Sequence, residues 1–284
     1  MTARSMTDLP IDEQIAEVES SIRVQPAHAA HRWALFQYLC IVRQWVRALQ
    51  QLQIYGQLES SQTPVVHAYR DLVRAECARE RVMAGLQEPD FVFTDVPSWM
   101  RGLHAALGLA RRGEVEAADA TRETALNLAP LTPGASHAPM HAFSWIGDSD
   151  SRLGPVCEFI AAGRYRWLAF DDIARWQVAS PATLADLIWA PCTLDLRDGT
   201  VLRGFMPARY PEHTALTCTA DARDALLLGR KTVWREAGRT GVIASGAKTW
   251  TTSSGDVGIF ELAQCVFNQT REETESKSEK EVDA

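Results

Sequence analysis

The chain has 284 residues, 46% of them apolar and 23% charged, with a formal net charge of −7. That balance describes an ordinary soluble globular protein of one large or two modest domains, and two fits the change of texture along the chain. The mild acidity argues against nucleic acid as the main partner, since phosphate recognition wants a basic face, and no apolar run is long enough for a membrane helix.

No apolar signal core follows Arg4, so a cytoplasmic protein is expected. Six cysteines at positions 40, 77, 157, 192, 218 and 265 form no C-x-x-C pair, which suits reduced, mostly buried thiols. From the N-terminus, Asp8 is positioned to cap a helix with Pro10 in its first turn, and Ile11, Ile15, Val18 and Ile22 share one face. That stripe suits packing within the chain or across a homodimer. Trp33, Leu35, Phe36, Leu39 and Cys40 keep helical spacing, and Trp45, Ala48, Leu49 and Leu52 mark a partner helix. Thr63-Pro64 reads as an N-cap and first-turn proline of a helix that stops at Gly85; Ser98 caps the next pair. In ALGLARRGEVEAADATRETALNLAP, Gly113 at the turn, the small residues Ala118 and Ala125, and the closing Pro130 match the tetratricopeptide pattern. The earlier hairpin fits more loosely, with Arg43 where that pattern prefers glycine. Two such units are too few to stand alone, so the helices are expected to lean on the second half.

Residues 143–167, FSWIGDSDSRLGPVCEFIAAGRYRW, join the two textures. Strands are expected on either side of Ala162-Gly163 and of Asp198-Gly199, followed by a short helix over 221–228 and strands over 232–234 and 257–266. The fold class is therefore α+β: tetratricopeptide-like helical hairpins over 8–142, then a small, mostly antiparallel, β-barrel-like domain over 143–267. The charged tail 268–284 is expected to be disordered.

Asp148 and Asp150 are spaced to share a divalent cation, but Arg152 and Leu153 follow where a calcium loop would supply another oxygen ligand and a glycine. An ion pair from Arg152 to either aspartate is the favoured reading. His28 with His31, and His137 with His141, are metal fragments lacking a third ligand, and the second pair spans Pro139. No nucleophile elbow, P-loop or dinucleotide fingerprint is present. Nine tryptophans suggest a small β core filled by large rings, with a partner groove as the sharper alternative.

The runs WIGDSDSRLGPVCEFI, GRYRW, LADLIW, GFMPARYP and GRKTVW, in that order, resemble the ImpE/TagJ (SciE-type) family of type VI secretion accessory proteins. The helical half is similar too, in LFQYLC, W-x-R-A-L-x-Q-L and A-x-x-L-A-P, so the resemblance covers nearly the whole chain except its ends. It implies a cytoplasmic, non-catalytic partner of the contractile sheath, with no cofactor and no catalytic residues to carry over. Members of the family bind the small sheath subunit through its N-terminal region and are linked to the AAA+ ATPase that recycles contracted sheath.

On this reading the partner's amphipathic segment docks at the seam of the two halves. Trp145, Asp148, Asp150 and Arg152 would shape that seam, with Tyr165, Trp167, Arg209 and Tyr210 on the β side. Two rivals are a generic helical-repeat adaptor or chaperone that binds through its first half alone, and a metal-dependent enzyme using Asp148 and Asp150.

Overall fold

The computed structural model describes residues 9–137, 140–211 and 219–268. Helix α1 (Ile11–Val24) buries Ile11, Ile15, Val18 and Ile22 on one face, as its periodicity requires. Its first amide is satisfied from far along the chain, donating from Ile11 to Asp224 Oδ2 at 2.8 Å; Asp8, the expected cap, lies outside the described residues. Helices α2 (Ala29–Ile41) and α3 (Trp45–Leu58) form a hairpin. The long α4 (Thr63–Met83) follows, with Pro64 in its first turn. The Thr63 hydroxyl is not its cap but donates back to the Ser60 carbonyl at 2.7 Å. After the two-residue strand β1 (Asp90–Phe91), α5 (Ser98–Arg111) and α6 (Val115–Leu128) form a second hairpin.

Both hairpin turns need a left-handed residue, filled by Arg43 at φ 61 in the first and Gly113 at φ 79 in the second. Glycine adopts this conformation without steric cost. Arg43 does so at a cost of about 1 kcal/mol, offset by its ion pair with Glu80 and a hydrogen bond to the Pro211 carbonyl. Among the described residues no helix is long and apolar enough to cross a membrane.

Strands begin ahead of Phe143, with β2 (Gly134–His137) and β3 (Met140–Phe143), and continue through β4 (Ile146–Asp148), β5 (Val156–Ala161), β6 (Arg164–Ala169) and β7 (Ile173–Val178). Next come β8 (Trp189–Leu196), β9 (Val201–Pro207), helix α7 (Ala220–Leu227), β10 (Thr232–Ala237), β11 (Gly241–Gly246), β12 (Thr249–Thr252), β13 (Gly255–Gly258) and β14 (Gln264–Phe267). They make a nine-stranded sheet in the order β1-β6-β5-β9-β8-β7-β14-β2-β3, a three-stranded sheet β13-β12-β4 and a two-stranded ribbon β10-β11. Neighbours in the large sheet run antiparallel except β1 and β6, which are parallel.

The expected β-barrel does not form, because closure requires the last strand of the ladder to pair with the first. Here the ladder ends at β1 and β3 without joining among the described residues. The outer edge of β6 is taken by β1, delivered from the helical half, and α4 packs across β6. The single strand expected over 257–266 is two strands in different sheets, because the chain turns between Gly258 and Leu262.

The two faces of the large sheet bury different partners. Val156 and Ile160 of β5, Tyr165, Trp167 and Ala169 of β6, and Trp189 at the start of β8 join the helices in one continuous core. Cys157, Phe159, Leu168, Trp176 and Leu194 face the other way, onto Trp250, Val257 and Phe267 in a second core. This is the period-two alternation of strands buried on both faces.

Candidate functional site

Where α4 crosses the sheet, the apolar core is interrupted by charge. Glu76 and Arg79 lie three residues apart on one face of α4, close enough to meet, and Arg79 Nη1 donates to Glu76 Oε1 at 3.0 Å. Glu158 sits between Val156 and Ile160 on the helix-facing side of β5. It receives Arg79 Nε and Nη2 in a forked pair at 2.6 and 2.9 Å. Lys248, in the β11–β12 turn, pairs with both Glu158 and Asp148. Rings complete the cluster. The Tyr165 hydroxyl donates to Glu158 Oε1 at 2.6 Å, Trp167 Nε1 to the Tyr165 oxygen at 2.7 Å, and Trp189 Nε1 to Glu76 Oε2 at 3.3 Å.

The joining loop extends this network. Asp148 Oδ1 accepts the Asp150 amide at 2.9 Å and lies 2.8 Å from the Tyr210 hydroxyl. Asp150 accepts Arg152 through Nε at 2.8 Å and Nη2 at 2.5 Å, and the Ala244 amide at 3.1 Å. The favoured pairing of Arg152 is therefore with Asp150, while Asp148 is answered by Lys248. Arg209 closes two helices at once: its guanidinium donates to the Cys40 and Ile41 carbonyls ending α2 and the Leu227 carbonyl ending α7, at 2.7–2.8 Å. Cations suit the negative ends of helices.

Burial sets the electrostatics. It raises Asp148 to about 6, against the partly compensating attraction of Lys248. Burial also pushes Glu158 upward, but Arg79 and then Lys248 outweigh it and hold that carboxyl well below its ordinary range. Lys248 is pulled down by burial and raised further by Asp148 and Glu158, so it stays charged. Burial drives the Cys157 thiol well above its usual value, which removes it as a nucleophile.

Seven of the eight residues expected at a partner-binding seam (Asp148, Asp150, Arg152, Tyr165, Trp167, Arg209 and Tyr210) are buried. They hold helices and sheet together and offer little surface. Trp145 is the exception. It is half-buried and lines a cleft of about 580 Å³ between the end of α6 and strand β4, with Leu126, Pro130, Leu131, Pro155 and Trp234. Leu131 is 74% and Trp234 46% exposed there. Trp234 Nε1 donates to Ser149 Oγ at 3.0 Å, and Ser149 Oγ lies 3.0 Å from the Tyr210 hydroxyl, so the cleft wall is tied to the buried charges.

Sequence reasoning missed Glu76, Arg79, Glu158 and Lys248. Glu158 carried a usable signal: a lone carboxylate inside the run VCEFIA must either be paired or break the strand. Of the histidine pairs, His28 and His31 stack with ring centroids 4.2 Å apart, and His141 Nε2 lies 3.1 Å from Thr252 Oγ1. The His137 side chain lies outside the described residues. Among those residues no group of three or more His, Cys, Asp or Glu is placed to hold a metal. Chemically, the arrangement offers a buried network of paired charges beneath an aromatic and apolar cleft.

Comparison with known proteins agrees with this architecture and extends it. The ImpE protein family model matches residues 140–266. A crystal structure of a Vibrio parahaemolyticus protein shares the fold at a TM-score of 0.82 and 22% identity, covering 92% of this chain and 95% of that one. The type VI secretion system accessory component TagJ of Pseudomonas aeruginosa is 36% identical over 261 residues, 92% of this chain and 88% of that protein. The likeness thus runs through the helices as well as the sheets, and the chain belongs to the ImpE/TagJ family.

Proposed function

We propose that the protein is a non-catalytic cytoplasmic accessory of a type VI secretion system that binds the N-terminal region of the small sheath subunit. In this role it would link the sheath to the AAA+ ATPase that recycles it. Membership in a family whose relative is named an accessory component carries the reading. The cleft at the seam supports the placement, because its apolar wall and exposed rings suit the apolar face of a short amphipathic helix. The tetratricopeptide-like reading of α2–α3 and α5–α6 belongs to the same proposal.

Trp167 and Arg209 are buried within the fold. Their replacement by alanine would disturb the fold, so Trp145→Ala and Trp234→Ala are the discriminating variants. Calorimetric titration with a peptide from the N-terminal region of the small sheath subunit is expected to show saturable binding. Each variant is expected to weaken it by about 2 kcal/mol, as truncating an aromatic hot spot does. Binding to wild type that neither variant changes would move the site elsewhere. No binding, with no co-purification of the full-length subunit, would overturn the function.

A further inference from the structure

A second cavity, of about 380 Å³, lies between the α5–α6 hairpin and the β10–β11 ribbon, away from the Trp145 cleft. Met83, Leu107, Ala118 and Ile243 give it apolar walls, and three arginines, Arg111, Arg122 and Arg152, also line it. Arg152 is neutralised by Asp150. The other two are not answered in the same way. Arg122 is only 5% exposed, yet Nη1 alone is engaged, by Asp119 Oδ1 and Thr240 Oγ1, each at 3.0 Å. Among the described residues its Nε and Nη2 make no hydrogen bond.

Asp119, the ion-pair partner of Arg122, is shared with the ribbon turn: its Oδ1 also accepts the Thr240 amide at 3.0 Å and the Thr240 hydroxyl at 2.7 Å, and its Oδ2 the Arg239 amide at 2.7 Å. Four donors thus draw on this one carboxylate, three of them on Oδ1, and Asp119 itself also lines the cavity. The Arg111 side chain has no ion pair or hydrogen bond among the described residues. A guanidinium that is paired through one nitrogen and has two more free of protein hydrogen bonds, and a second, exposed cation with no ion pair among the described residues, therefore line one cavity, in a protein whose net charge is −7. The attraction for an anion is local to the cavity.

We propose that this cavity binds a small organic anion with a compact apolar body, its carboxylate held by Arg122 and Arg111. Guanidinium groups match carboxylates in a planar fork, and the apolar walls would take the rest of the molecule. The volume lies at the lower end of the range for small-molecule sites, roughly 300–1,000 Å³, and is too small for a docking helix.

The test titrates the full chain by calorimetry with benzoate and hexanoate, with benzyl alcohol as the uncharged body, and with sulfate as an anion lacking one. At least one carboxylate is expected to bind saturably, and roughly tenfold tighter than either control. Arg111→Ala, at an exposed position without partners, should keep the fold and weaken that binding about tenfold. Arg122→Gln should abolish it, and Trp234→Ala, in the other cleft, should leave it unchanged. If Arg122→Gln fails to melt as a folded protein, Arg111→Ala decides. No saturable carboxylate binding, equal binding of benzyl alcohol, or binding insensitive to Arg111→Ala overturns the proposal.

Discussion

Lys248 holds together charges from three parts of the chain, and its value lies in what its absence would leave. With it gone, Asp148 would be buried without a cation and Glu158 would keep Arg79 alone. Breaking a buried pair costs about 3–5 kcal/mol. Lys248→Met is therefore expected to lower the stability measured by denaturant unfolding by about that amount. Asp148→Asn has a pH signature of its own. Asp148 is raised in the folded protein from 3.8 to about 6, so between those values the native state holds a proton that the unfolded chain releases. The contribution of Asp148 to stability is full below 3.8 and is lost as the pH rises through about 6. Asparagine does not titrate, so the stability of the variant relative to wild type should improve across that window. Glu158 acts in the opposite sense, being stabilising above its ordinary range and losing that contribution in acid, but it is present in both proteins. Urea midpoints for the two proteins at about pH 4 and pH 7 check the sign.

At the scale of elements, the two helical hairpins use the same left-handed turn with different residues. A Cβ on Gly113 would meet nothing within 4 Å, so Gly113→Ala isolates the backbone cost, about 1 kcal/mol, readable as a lowered melting temperature. Arg43→Gly relieves a similar strain but removes the contacts to Glu80 and Pro211, and net destabilisation is expected. A rise in melting temperature would mean that those contacts contribute less than the strain. This turn was legible in outline, since Arg43 stands where the repeat pattern prefers glycine, but its side-chain partners were not. The hairpins around Ala162-Gly163 and Asp198-Gly199 were legible because turn chemistry and strand alternation are local. Strands β2 and β3 were not, being four residues each, with β2 held against β14 more than a hundred residues away. The site was legible as a concentration of charge and rings. Its burial was not, because the partners of Asp148 and Glu158 are set by the crossing of α4 over the sheet.

At the scale of the whole molecule, the helices and the helix-facing side of the sheet share one core and one charge network. Cut away from the sheet, residues 9–133 would expose the apolar faces that pack on Tyr165, Trp167 and Trp189 and leave Glu76 and Arg79 without Glu158. That fragment is expected to keep helical circular dichroism but to lose cooperative urea unfolding. A sharp two-state transition would show that the helices are an independent domain. The order of the large sheet has a further consequence, for synthesis. Strand β14 follows every other strand in the chain yet lies between β7 and β2. A growing chain must therefore hold those two edges unpaired after β7 has been made, for roughly 4–17 s at ordinary elongation rates. During that interval the nascent protein presents open strand edges of the kind that recruit chaperones or neighbouring chains, and slowing translation between Val178 and Gln264 lengthens the exposure.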